Sequence, residues 1–86
     1  MYKINSTIAW QIYDNVLYIF DDVNRRTFIL TDVSIVIWKL IANGYSHEAI
    51  LQHIVNAYVV DVDVVKNDVN AFVNDLIANG LLEVIA

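Results

Sequence analysis

The sequence predicts an α+β fold in which a three-stranded antiparallel sheet precedes three helices. Apolar residues alternate at period two through the first third of the chain, and the period turns helical after Leu30. The only two glycines, Gly44 and Gly80, each fall where a helical stripe ends. At 86 residues the length suits one domain over residues 1–86 with a single core.

Ile8, Trp10 and Ile12 alternate with Ala9, Gln11 and Tyr13, the pattern of a half-buried strand. Asp14-Asn15 supplies a tight turn into Val16 to Phe20, a β-branched and aromatic run that reads as a central strand covered on both faces. Asp21 to Asn24 turns the chain again. A third strand at Arg25 to Leu30 places Phe28 and Leu30 on one face and Thr27 and Ile29 on the other, and in a three-stranded meander it is an edge.

Thr31 or Asp32 is available to cap a first helix whose stripe is Val33, Ile37, Leu40 and Ile41, with Trp38 beside it. Asn43-Gly44 ends it. Ser46 caps a second helix with Ile50, Leu51, Ile54, Ala57 and Tyr58 as its apolar positions, and Asp61 or Asp63 starts a third. There Val62, Val65, Val69, Phe72, Val73, Leu76 and Ile77 make the clearest amphipathic pattern in the chain. Gly80 stops it, and Leu81 to Ile85 allow a short final strand.

Composition removes several functions. Ten acidic residues against five basic ones give a formal charge of −5, which disfavours nucleic acid and anionic membrane surfaces because both demand clustered cations. With zero cysteines there is no disulfide framework, no thiolate metal site and no cysteine nucleophile. No apolar run approaches the ~18 residues of a membrane span, and the N-terminus lacks a signal-peptide core. A cytoplasmic protein is expected, so the Asn5-Ser6-Thr7 glycosylation pattern is read as chance.

No catalytic residue, metal site or cofactor is expected. His47 and His53 stand six residues apart, about 240° around a helix, and so do not share a face. Asp61, Asp68 and Asp75 read as a cap and a solvated flank, although Asp68 borders the apolar stripe between Val65 and Val69. No phosphate loop, nucleophile elbow or calcium loop is present.

The order of elements resembles a winged helix-turn-helix, a fold that ordinarily suggests DNA. The third helix, however, carries Lys66 as its only cation against Asp63, Asp68 and Asp75, so the scaffold reads as reused. An edge strand beside an apolar helix can take up an extended peptide as an added strand. Arg25-Arg26, the only basic pair, begins that strand and either selects an acidic peptide segment or solubilises the turn.

Two blocks carry a family resemblance. Phe28-Ile29-Leu30-Thr31-Asp32 through Ile37-Trp38-Lys39-Leu40-Ile41 is similar to the aromatic-x-Leu-Asn strand end and Ile-Trp-x-Leu-Leu helix of the PqqD-like family. Asp68-Val69, Phe72-Val73, Leu76-Ile77 and Gly80-Leu81-Leu82-Glu83 resemble its Asp-Val-x-x-Phe-Leu-x-x-Leu then Gly-Leu ending. The similarity runs from about Ile8 to Glu83, with Thr31, Ser34 and Val62 in place of the family's usual Asn, Gly and Pro.

The resemblance implies a noncatalytic domain that recognises the leader segment of a ribosomally made precursor peptide, held as an added strand between the third strand and the third helix. Its implied contacts are Arg25, Arg26, Thr27, Phe28, Ile29 and Leu30 on the strand, and Val65, Asp68, Val69 and Phe72 on the helix. Phe28, Leu30, Trp38 and Leu76 are assigned mainly to the core. The implied partners are the precursor leader and a leader peptidase or other maturation enzyme, as in lasso-peptide pathways. A pyrroloquinoline-quinone-type chaperone for a radical-SAM enzyme is the alternative. A winged-helix regulator ranks lower, and the open edge also permits a weak homodimer.

Overall fold

The computed structural model describes residues 1–58 and 61–85. Its elements are β1 (Tyr2–Ile4), β2 (Ile8–Tyr13), β3 (Val16–Asp21), β4 (Arg26–Leu30), α1 (Val33–Ala42), α2 (His47–Ala57), α3 (Val62–Ala78) and β5 (Leu82–Val84). Strands β2, β3 and β4 form an antiparallel sheet in that order, while β1 pairs antiparallel with β5. The three-stranded sheet followed by three helices is the predicted arrangement. Strand β1 is an addition to it, recruited across the whole chain by Tyr2 opposite Val84 and Ile4 opposite Leu82.

Turn chemistry fixes the sheet. Asp14 and Asn15 take φ of 52° and 62°, the pair of positive values that a two-residue hairpin with strand-matched twist requires and that Asx residues tolerate. The following register sets Ile19 opposite both Trp10 and Phe28, and Leu17 opposite both Ile12 and Leu30. One face of β3 is thereby sealed, with Leu17 and Ile19 at 0% exposure. The other face is not, which corrects the expectation of cover on both sides. Tyr18 and Phe20 are only half-buried, their rings stacked 6.5 Å apart, and the neighbouring Tyr13 and Ile29 are exposed. Every helix packs on the inner face, so the outer face is left as an uncharged aromatic surface.

Trp38 lies at the centre of the core at 0% exposure, rather than beside the helical stripe. It meets Trp10 edge to face at 6.2 Å between centroids and shares the core with Leu17, Ile19, Ile50, Val69 and Val73. Helices α1 and α3 end alike. Tyr45 N–H donates to Leu40 O and Leu81 N–H to Leu76 O, with Gly44 and Gly80 at φ of 84° and 75°. These are left-handed closures that a side chain would strain. Ser46 caps α2 through the Ala49 N–H, and Asp61 caps α3 through the N–H groups of Asp63 and Val64.

Four residues differ from expectation. Asp32 occupies the cap of α1, but its side chain makes no capping hydrogen bond. Ala57 and Tyr58 are exposed because α2 stops at Ala57 and the backbone turns extended at Tyr58. Val62 is exposed as the first residue of α3, before its stripe reaches the core. His47 is structural, its Nδ1 lying 2.7 Å from the Tyr2 hydroxyl, and burial raises the pKa of that tyrosine.

Because Trp38 fills the centre of the core and its indole Nε1 has no hydrogen-bond partner among the described residues, Trp38→Ala is expected to destabilise the fold by about 3–5 kcal/mol. Trp38→Phe is expected to lose less than half as much. Urea unfolding of the two variants checks the order.

Candidate functional site

Strand β4 pairs with β3 on one side and with no described strand on the other, so one row of its backbone donors and acceptors is open. Its start is tied down by Asp21, the only buried charged side chain among the described residues. Asp21 sits opposite Arg26 in the β3–β4 register and accepts from Arg26 Nη2 at 2.8 Å, from Arg26 Nε at 3.3 Å and from Asn24 Nδ2 at 2.9 Å. The same guanidinium reaches across to the end of α3. Its Nη2 donates to Asn79 O at 2.7 Å and its Nη1 to Asn79 Oδ1 at 3.3 Å. Arg26 also lies over the Phe28 ring, 5.1 Å from its centroid.

At its other end β4 runs into α1 through a strained corner. Asp32 has φ of 54° and ψ of −128°, a conformation that glycine favours and that costs a side-chain-bearing residue about 1–3 kcal/mol. Ser34 N–H donates to Thr31 O across this corner. The corner delivers Val33, Ser34 and Ile37 of α1 to the wall of a groove of about 270 Å³. Helix α2 adds Ile54, and Tyr58 follows from its C-terminal cap. Helix α3 adds Val64, Val65, Asp68, Val69 and Phe72.

These two anchor points set the relation of strand to helix. Arg26 is held at Asn79, the C-terminal end of α3, whereas the residues following Leu30 meet α3 at Val65 to Phe72. From Asn79 back to Asp68 the helix covers about 16 Å at 1.5 Å per residue, close to the length of a five-residue strand at about 3.3 Å per residue. A strand of this length tied to Asn79 at its Arg26 end matches that stretch of α3, and the groove lies beyond its Leu30 end, where α1 meets α3.

The predicted contacts divide accordingly. Val65, Asp68, Val69 and Phe72 come together on one wall, with Val65 and Val69 buried, Phe72 half-buried and Asp68 exposed. Thr27 and Ile29 face outward from the sheet and are exposed. Phe28 and Leu30 face inward and pack half-buried against the core, in which Trp38 and Leu76 are buried. Arg25 precedes the strand, with φ of 54° in the β3–β4 loop. Arg26 is engaged by Asp21 and Asn79, so the geometry gives it a structural task. The α1 and α2 walls were not read as site residues in the sequence. Val33, Ile37, Ile54 and Tyr58 follow the same spacing as core residues, and only the tertiary arrangement opens a groove between them.

The geometry defines a small α+β domain with an open sheet edge tied at one end to a helix, and an apolar groove walled by its three helices. Among the described residues no group of histidine and carboxylate side chains is placed to hold a metal ion, and no described helix is long and apolar enough to cross a membrane. Residues 17–82 match the family model described as coenzyme PQQ synthesis protein D (PqqD). The chain belongs to the PqqD family. A search of curated proteins gave no match.

Two solved structures resemble the whole chain. TbiB1 in complex with the TbiA(beta) leader peptide superposes with a TM-score of 0.90 at 28% identity, covering 98% of each chain. A lasso peptide synthetase B1 complexed with the leader peptide superposes with a TM-score of 0.88 at 20% identity, covering 96% of this chain and 98% of the other. The second likeness speaks to the fold alone.

Hydrogen bonds from Arg26 first, and then from Asn24, hold the Asp21 carboxyl below its usual range, against the upward push of burial. A carboxyl whose pKa is lower folded than unfolded stabilises the fold above the ordinary aspartate pKa, and that stabilisation is lost as pH falls through the folded value. Acid unfolding at and below the ordinary aspartate range is thus expected to be shallower in Asp21→Asn than in the parent protein. Thermal melts of both across acid pH measure it.

Proposed function

We propose that this protein binds the leader segment of a ribosomally made precursor peptide as an added strand on β4, and presents it to a maturation enzyme without performing chemistry itself. The observation that carries the reading is the open β4 edge, tied at Arg26 to the end of α3 and followed by a helix that lines an apolar groove. An edge supplies main-chain hydrogen bonds to any extended segment, and a groove beside it adds side-chain selectivity. Membership of the PqqD family and the likeness to TbiB1, which is bound to a leader peptide in its own structure, support the same reading.

Within this reading the enzyme served is a leader peptidase of the lasso-peptide type, acting in the cytoplasm. Holding the leader raises the effective concentration of the precursor at that enzyme, a gain set by geometry and tethering. The Thr27–Leu30 edge takes the peptide backbone, and Val65, Asp68, Val69 and Phe72 take its side chains. Arg25 lies at the entry to the strand and contributes charge there, while Arg26 keeps the edge aligned with α3.

A fluorescently labelled leader from the precursor reading frame beside this gene is expected to bind at micromolar concentration. Val69→Arg, which drives a charge into the helix wall, should weaken binding by at least about tenfold, with folding checked by circular dichroism. Absence of binding, or an unchanged affinity in a folded Val69→Arg protein, contradicts the proposal.

A further inference from the structure

Among the described residues Asp68 is the only charged one lining the groove, and it makes no ion pair and no side-chain hydrogen bond there. The remainder of the wall is aliphatic and aromatic apart from the hydroxyls of Ser34 and Tyr58. The nearest cation along α3, Lys66, is two residues away, about 200° around the helix, and so belongs to the opposite face.

Two helix N-termini approach the same groove, those of α1 at Val33 and Ser34 and of α3 at Val64 and Val65. Their dipoles by themselves favour an anion by a fraction of a charge. That of α3 is already offset by a carboxylate. Asp61 accepts from the N–H groups of Asp63 and Val64 at the start of α3, and Asp32 stands at the start of α1. The whole chain at −5 adds a long-range field that favours a cation over an anion.

We infer that the groove selects a side chain with an aliphatic stem and a cationic tip, a lysine or arginine of the bound peptide, its stem lying against Val65, Val69 and Phe72 and its charge at the Asp68 carboxylate. The inference takes its occupant from the strand-addition reading and adds the chemical class that the groove prefers. Long basic side chains bury their methylenes and keep their charge toward water, which suits a groove with a buried apolar wall and an exposed carboxylate. An acidic side chain is repelled at the same point. A neutral apolar one fills the space but leaves Asp68 unpaired.

The preference can be read without any peptide. Isotope-labelled protein is titrated separately with n-pentylammonium, n-pentanol and pentanoate, following the backbone amide shifts of Val33, Ile37, Val65 and Val69. Pentylammonium is expected to perturb these amides and to bind about two- to fivefold more tightly than pentanol, the range of an exposed ion pair, with pentanoate the weakest. The advantage should shrink at high salt. In Asp68→Asn the ammonium and the alcohol should bind equally, with the alcohol's affinity unchanged. Equal binding to the parent protein, an advantage that persists in Asp68→Asn, or no shift at these amides with any probe overturns the inference. The leader titration described above can fail or succeed independently of that result.

Discussion

The Arg26 guanidinium is the link on which the geometry of the site depends. One end of β4 is fastened through it to the buried Asp21 of β3, and the same group bonds to the backbone and side chain of Asn79 at the end of α3. Sheet and helix are thus held together at one end by charge-assisted bonds, and these are stronger than neutral ones. At the other end the connection is covalent, through the strained corner at Asp32 into α1. Between the two fixings the edge of β4 is left unpaired. Asn24 and the core packing of Phe28 support the arrangement, but neither connects the two elements.

From that link follows the division of labour around the site. Residues facing inward from β4 serve the core, those facing outward meet solvent, and the strand's backbone edge is the part that stays available. The groove that complements it draws on three helices, so its shape depends on the core beneath. Val65 and Val69 are both core members and groove wall. A peptide laid on this edge would lengthen a sheet whose inner face is already packed, without requiring the helices to move. The outer face, with Tyr13, Tyr18, Phe20 and Ile29, accounts for much of the apolar surplus that the composition announces.

Much of the fold was legible because local signals were strong. Asp14-Asn15 has the residues that a tight hairpin demands, Gly44 and Gly80 sit at left-handed helix ends, and the α3 stripe repeats over four turns. The helix wall Val65, Asp68, Val69 and Phe72 was legible for the same reason, since four residues at helical spacing must share a face. What escaped depended on contacts distant in sequence. Strand β1 is three residues long and exists through pairing with β5 some eighty positions away. Trp38, assigned to the core by the family resemblance, stands beside the stripe on a helical wheel, and its central place depends on Trp10 and the sheet packing against it. Arg26 looked like a free cation, and nothing in its neighbourhood announces Asn79 as a partner. The strain at Asp32 is equally silent, since aspartate there reads as an ordinary cap.

The central claim is that the open edge of β4 becomes a paired strand when the leader binds. Amide hydrogen exchange along Thr27 to Leu30, measured with and without the leader, tests it most directly. The account predicts that amides on the open side of β4 become protected on binding, while those already paired with β3 keep their protection. Binding of the leader with exchange along β4 unchanged would contradict it.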